Sequence, residues 1–177
     1  MQTTVQIRKA GPGDEVALSL VGQASFLEAF ADVLRGSDIV EHCVKQHAVE
    51  KYRAWLGDGR TSVWLAETPT GAAVGYLVLT KPDLPLADVG ERDLEVKRIY
   101  LLHRYQGGGT GARLMELAAE QGRAEGAARL LLGVYAKNTP AILFYERLGY
   151  GAVGTREFRV GAHTYHDLIM ARPLSTA

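Results

Sequence analysis

The run Gln106-Gly107-Gly108-Gly109-Thr110-Gly111 lies between a strand-like apolar stretch and a helical one. Glycines at such a junction let consecutive backbone N–H groups curl into one concavity, and the N-terminus of the following helix adds partial positive charge. The result is an anion cradle suited to a phosphate, with more glycine than a tight turn alone requires. Two common nucleotide motifs fail here. A Walker loop needs Gly-Lys followed by Ser or Thr, which does not occur. Gly107-x-Gly109-x-x-Ala112 meets a loose dinucleotide pattern, but the spacer Leu102–Gln106 is too long for that fold's first turn. The next strand also ends in Tyr135-Ala136-Lys137, without the expected acid.

Other reactive residues point to less. Cys43 is the only cysteine, so it supplies neither an intramolecular disulfide nor a thiolate cluster, and it reads as a small core residue on a helix. His42, His47, His103, His163 and His166 show no metal-ligand spacing, so no metal is expected; His103 borders the glycine turn. Glu28 and Asp32, four residues apart, form either a solvated acidic face or a receptor for a cation.

The surrounding pattern supplies the elements. Val5–Arg8 alternates as a strand, and Gly11-Pro12-Gly13-Asp14 breaks it and offers a helix cap. From Glu15 to Leu34, Val16, Leu20, Ala24, Leu27 and Ala31 recur at helical steps and predict the buried face of a helix. Ile39–Leu56 reads as one or two further helices after the break at Gly36-Ser37-Asp38. Thr61–Glu67 and Ala73–Leu79 read as a hairpin, Lys81–Gly90 as a loop bordering a site, and Leu94–Leu101 as a strand. Gly109–Glu125 is helical and Arg129–Tyr135 is a buried strand, a sequence that suggests a parallel pair. Thr139-Pro140 opens a short helix that Gly149 closes, and two strands follow, Gly151–Val160 and His163–Pro173.

Nearly half of the 177 residues are apolar, enough for one domain spanning 1–177 with its own core. Lys plus Arg equals Asp plus Glu at 20 each, which disfavours bulk attraction to nucleic acid. No basic patch followed by an apolar run opens the chain, and no stretch of about 18 apolar residues appears, so neither a leader nor a membrane span is expected. With its single cysteine the chain suits a reducing, cytoplasmic setting.

Two motifs carry a resemblance to a known family. Gln106-x-x-Gly109-x-Gly111 opening a helix, and Asn138 ahead of a short helix carrying Phe144-Tyr145 and closing in Leu148-Gly149-Tyr150, are similar to the two motifs of the GNAT (GCN5-related) N-acetyltransferase superfamily. They occur in order, joined by one βα unit and one buried strand. Leu94–Tyr100, Leu132–Asn138, Asp167–Ala171 and Ser25–Phe30 further resemble PaiA-type polyamine (spermine/spermidine) N-acetyltransferases. Two departures stand out: Gly108 occupies a position where many members carry Lys or Arg, and Thr110 replaces an aliphatic residue.

The resemblance implies an α/β (α+β) GNAT fold, a mostly antiparallel sheet of six to seven strands with a central splayed parallel pair and about four helices. It implies acetyl-CoA as cosubstrate, with pantetheine pairing at Ile99, Tyr100 and Leu101 and pyrophosphate on Gln106, Gly107, Gly108, Gly109, Thr110 and Gly111. An amide at Leu101 or a near neighbour would stabilise the oxyanion. Tyr145 is the expected general acid for the departing thiolate, and Asn138 would orient pantetheine or Tyr145. Glu95 is the expected acceptor of the amine's proton, with pairing to Lys97 as its alternative. Glu28, Asp32 and Glu95 are the expected contacts to a small-molecule amine, foremost a polyamine. Another small amine such as an amino acid or aminoglycoside, a protein N-terminus, or a catalytically silent acyl-CoA-binding module are the alternatives. Many relatives form dimers, so a homodimer is compatible with the resemblance.

Overall fold

A computed structural model describes residues 4–175. It shows a seven-stranded sheet in the order β1-β2-β3-β4-β5-β7-β6 and five helices. The strands are β1 (Gln6–Lys9), β2 (Ser62–Glu67), β3 (Ala73–Thr80), β4 (Asp93–Leu101), β5 (Arg129–Tyr135), β6 (Gly151–Val160) and β7 (His163–Pro173). The helices are α1 (Glu15–Phe30), α2 (Gly36–Gln46), α3 (Val49–Gly57), α4 (Thr110–Ala124) and α5 (Thr139–Arg147). The pair β4–β5 is parallel, with Asp93, Leu94 and Glu95 opposite Arg129, Leu130 and Leu131. β1–β2, β5–β7 and β6–β7 are antiparallel. The expected fold class is thus found. The second helical region divides into α2 and α3, and Gly36-Ser37-Asp38, expected as a break, is the first turn of α2.

The chain forms two compact units. The first comprises the residues up to Val78 together with Arg98–Met115. Its core joins Leu18 and Val21 of α1, Tyr52 of α3, Val63 and Leu65 of β2, and Tyr76 and Val78 of β3. Each of the leucines and valines among them is worth about 1.5–3 kcal/mol buried rather than exposed.

Helix α1 buries a different face from the one its apolar spacing predicts. Val16, Leu20 and Leu27 are exposed, Leu20 at 71%, and the buried residues are Leu18, Ser19, Val21, Gly22, Ser25 and Phe26. The helix is apolar on nearly every side, so two stripes fit the same period. The buried one contains small and polar residues because α1 must admit other side chains closely. A Cβ at Gly22 would run into Tyr52 Oη and His47 Nδ1. The helix also stops at Phe30 rather than Leu34, where the amides of Val33 and Leu34 both turn back to the Phe30 carbonyl. Asp32 therefore lies beyond the helix, not on one helical face with Glu28. Asp14 stands at the cap position, but its carboxylate binds Arg8 and accepts from the Gly11 amide instead of capping α1.

The second unit comprises Leu79–Lys97 and the residues from Glu116 onward. Here β5 is the inner strand, against β4 on one side and β7 on the other. Leu84, Leu131, Ile169 and Ala171 form a core cluster, with Leu86 and Val89 of the Lys81–Gly90 loop packed on it.

Candidate active site

In the first unit, β4 ends at Leu101 and a 3-10 turn, His103–Tyr105, leads into the glycine run. Three contacts fix this junction. Gln106 Nε2 donates to the Leu101 carbonyl at 2.8 Å, the Leu102 amide donates to the Val74 carbonyl, and the His103 amide donates to Glu28 Oε2 at 2.7 Å. Gly75 lets β3 approach this end of β4, since a Cβ there would meet Leu101 and the Tyr100 carbonyl. Tyr100 stacks on Tyr76, with 6.0 Å between ring centroids.

Gly107 and Gly109 take φ of 78° and 80°, a conformation only glycine adopts at low cost, and the Gly109 carbonyl accepts from the Arg113 amide as α4 begins. Gln106 to Gly109 are exposed and Thr110 is buried. The first amides of α4 lack intrahelical partners by construction, and they follow directly on this exposed turn. The arrangement fits a pyrophosphate on chemical grounds, and it does so without a side-chain cation at position 108. Glu28, expected to meet an acceptor, holds the backbone at His103.

A second feature of this unit was missed in the sequence. Arg98 of β4 lies over Trp55, 4.8 Å from the ring centroid, and its Nη1 donates to Tyr52 Oη at 3.0 Å and contacts His47 Nδ1 at 3.3 Å. The Tyr52 hydroxyl also lies 2.8 Å from His47 Nδ1, so the guanidinium, the phenol and the imidazole meet at one point. Burial, then the charge of Arg98, hold the His47 imidazole at about 3; the same two causes hold His42 at about 4. Among the described residues, no carboxylate pairs with Arg98. The available signal was Arg98 itself, which alternation places on one face of β4 with Val96 and Tyr100, together with histidines too poorly spaced for a metal.

In the second unit Glu95 is 1% exposed. Its Oε2 accepts from the Asp83 amide at 3.0 Å, and its Oε1 lies 3.5 Å from Lys97 Nζ. Lys97 also pairs with the Asp83 carboxylate. Burial raises the Glu95 carboxyl above the ordinary glutamate range, although the Asp83 amide and Lys97 act against it. Arg156 binds Asp167 at 3.0 Å and lies against Gly133, where a Cβ would strike the guanidinium. Asp83 and Arg156 were not anticipated, because they come from a loop and a strand with no recognisable motif. The pairing of Glu95 with Lys97 was.

Tyr145 lies on the inner face of α5 and is 9% exposed, whereas Leu143, Glu146 and Arg147 face outward. Its ring meets those of Phe144 and Tyr150 edge-on. Asn138 Oδ1 accepts from the Ala141 amide at 3.2 Å and so caps α5, Pro140 occupies the first turn, and Gly149 follows at φ 88°. Among the described residues, no three His, Cys, Asp or Glu side chains cluster in a way that could hold a metal ion, and no helix is long and apolar enough to cross a membrane.

The family model for the Acetyltransferase (GNAT) family matches residues 27–150, a span that includes the glycine turn and all of α5. An uncharacterized N-acetyltransferase of Mycobacterium tuberculosis is 37% identical over 124 residues, covering 70% of this chain and 74% of the relative. One of Lactobacillus delbrueckii subsp. lactis is 34% identical over 104 residues, covering 59% and 60%. Among solved structures, the PaiA N-acetyltransferase of Thermoplasma acidophilum in complex with coenzyme A superposes with a TM-score of 0.78 at 19% identity, covering 96% of this chain and 99% of that one. The chain belongs to the GNAT acetyltransferase family and is a GNAT-family N-acetyltransferase. The fold uses acetyl-CoA.

Proposed function

We propose that this protein, acting as one acetyltransferase domain over 1–177, transfers acetyl from acetyl-CoA directly to the primary amine of a small molecule. The observation that carries the reading is the glycine turn, with Gly107 and Gly109 in the left-handed region at the start of α4, inside the segment that matches the family. Gln106 to Gly111 would hold the pyrophosphate through backbone amides. Ile99, Tyr100 and Leu101 would pair with pantetheine, and an amide of that segment would face the thioester oxygen. Glu95 takes up the amine's proton, directly or through water, a role its burial-raised carboxyl favours. Tyr145 supplies a proton to the departing thiolate. Asn138 shapes the start of α5 and thereby the placement of Tyr145.

Two acceptor classes follow. A polyamine such as spermidine or spermine is supported by the sequence resemblance and by the fold likeness to a PaiA enzyme. An amine that also carries a negative charge, such as an amino acid, is supported by Arg98. The deciding experiment incubates the purified protein with acetyl-CoA and a panel of polyamines, amino acids and aminoglycosides, and follows free CoA and N-acetylated product by chromatography. Amine-dependent release of CoA is expected. Tight acetyl-CoA binding with no turnover on any amine would instead indicate a silent acyl-CoA-binding module.

A further inference from the structure

We propose that Arg98 is an anchor for a carboxylate on the acceptor, so that the amine acetylated belongs to a molecule of the amino-acid type. The inference rests on the acetyl-transfer reading above and narrows it. Arg98 is a partly buried guanidinium whose polar partners, Tyr52 Oη and His47 Nδ1, are both neutral and both reach a single nitrogen, Nη1. Trp55 covers one face of the group. Withdrawing a cation from water is costly unless an anion completes it, and among the described residues none does. Nε and Nη2 remain as donors in the planar fork that matches a carboxylate through two parallel hydrogen bonds.

The residues around Arg98 are built to keep that fork in place. Tyr52 Oη donates on to Tyr76 Oη at 3.1 Å, His47 is 1% exposed, its carbonyl accepts from the Ser19 hydroxyl, and Gly22 leaves room for both rings. His42 and His47 are both neutral near pH 7 and add no charge beside Arg98, while Lys51 stands 5.5 Å from the centroid of the same Trp55 ring. Arg98 immediately precedes Ile99, Tyr100 and Leu101, the residues expected to meet the acetyl-bearing arm, so an anion held there tethers an amine close to the reacting strand. The acid expected to attract a polycation, Glu95, is meanwhile already paired with Lys97.

Trp55 provides a direct readout because its ring stacks on Arg98. Intact protein carrying Trp64→Phe, so that Trp55 is the sole tryptophan, is titrated with each of the twenty standard amino acids, the carboxamide of each responder, spermidine and inorganic phosphate, with and without CoA. The inference expects a saturable fluorescence change with at least one amino acid, weakened at least tenfold by the carboxamide and by Arg98→Met, and less by Arg98→Lys, which keeps the charge but loses the fork. It is overturned if no amino acid gives a saturable change, if spermidine or phosphate alone responds, or if the carboxamide binds as well as the acid. A response that survives Arg98→Met also overturns it. Should Arg98→Met fail to fold by circular dichroism, the carboxamide comparison and Arg98→Lys decide. Carboxylate binding through Arg98 without CoA release would sink the acetyl-transfer reading and leave the anchor standing. CoA release confined to polyamines, with no Trp55 response, would do the reverse.

Discussion

Glu95 and Tyr145 are the residues on which the proposed acetyl transfer turns, and their surroundings predict different signatures. Glu95 is raised by burial, so the rate should fall with acid at a pH above the ordinary glutamate range. Glu95→Gln keeps the shape and removes the proton acceptor; a loss of about 100-fold in kcat is expected, together with disappearance of that acid limb. A variant whose rate and pH profile match the parent would confine Glu95 to holding Lys97 and the Asp83 amide. Tyr145→Phe keeps the edge-on contacts with Phe144 and Tyr150 and removes only the hydroxyl. Loss of kcat with little change in the affinity for acetyl-CoA is the expected result, and unchanged turnover across pH would dismiss the acid role. Both candidates stood out in the sequence, Tyr145 through the Phe144-Tyr145 motif and Glu95 through its place on the strand expected to meet the thioester. The partners of Glu95 other than Lys97 did not, because Asp83 arrives from a loop whose path no local spacing encodes.

At the scale of elements, the strand and helix order was readable because glycine and proline punctuate it and the periods between are clear. Helix α1 shows where such reading stops. Its apolar residues fit two faces, and tertiary packing chose the one that contains Ser19, Gly22 and Ser25. Small residues carry little hydropathy, yet they permit close approach, and only the identity of the approaching side chains reveals their purpose. Gly22→Ala should therefore destabilise the fold by about 1–3 kcal/mol, read as a lower urea midpoint, because Tyr52 and His47 are held by Arg98 and cannot both swing away. An unchanged midpoint would mean that this cluster is looser than its hydrogen bonds indicate. The glycine turn was legible for the opposite reason: Gly107 and Gly109 declare an unusual backbone conformation in their own identity.

For the molecule as a whole, the depressed histidines set an acid weakness. His42 and His47 sit at about 4 and about 3 when folded, against 6.5 when exposed. Between pH 6.5 and 4 the unfolded chain takes up protons at these rings that the folded chain does not, so stability falls as pH falls, by up to about 1.4 kcal/mol per pH unit at the buried His47. Urea midpoints at pH 7 and pH 5 should show this drop, and His47→Gln should flatten it. Parallel slopes for parent and variant would assign the acid sensitivity elsewhere.

Cys43 is buried in α2, and burial raises its thiol above the ordinary cysteine range. The folded protein thus hides its sole sulfhydryl from colorimetric thiol reagents. In a continuous assay, the signal from such a dye would report released CoA with little background from the enzyme, and a sudden stoichiometric jump would mark the moment the enzyme itself unfolds.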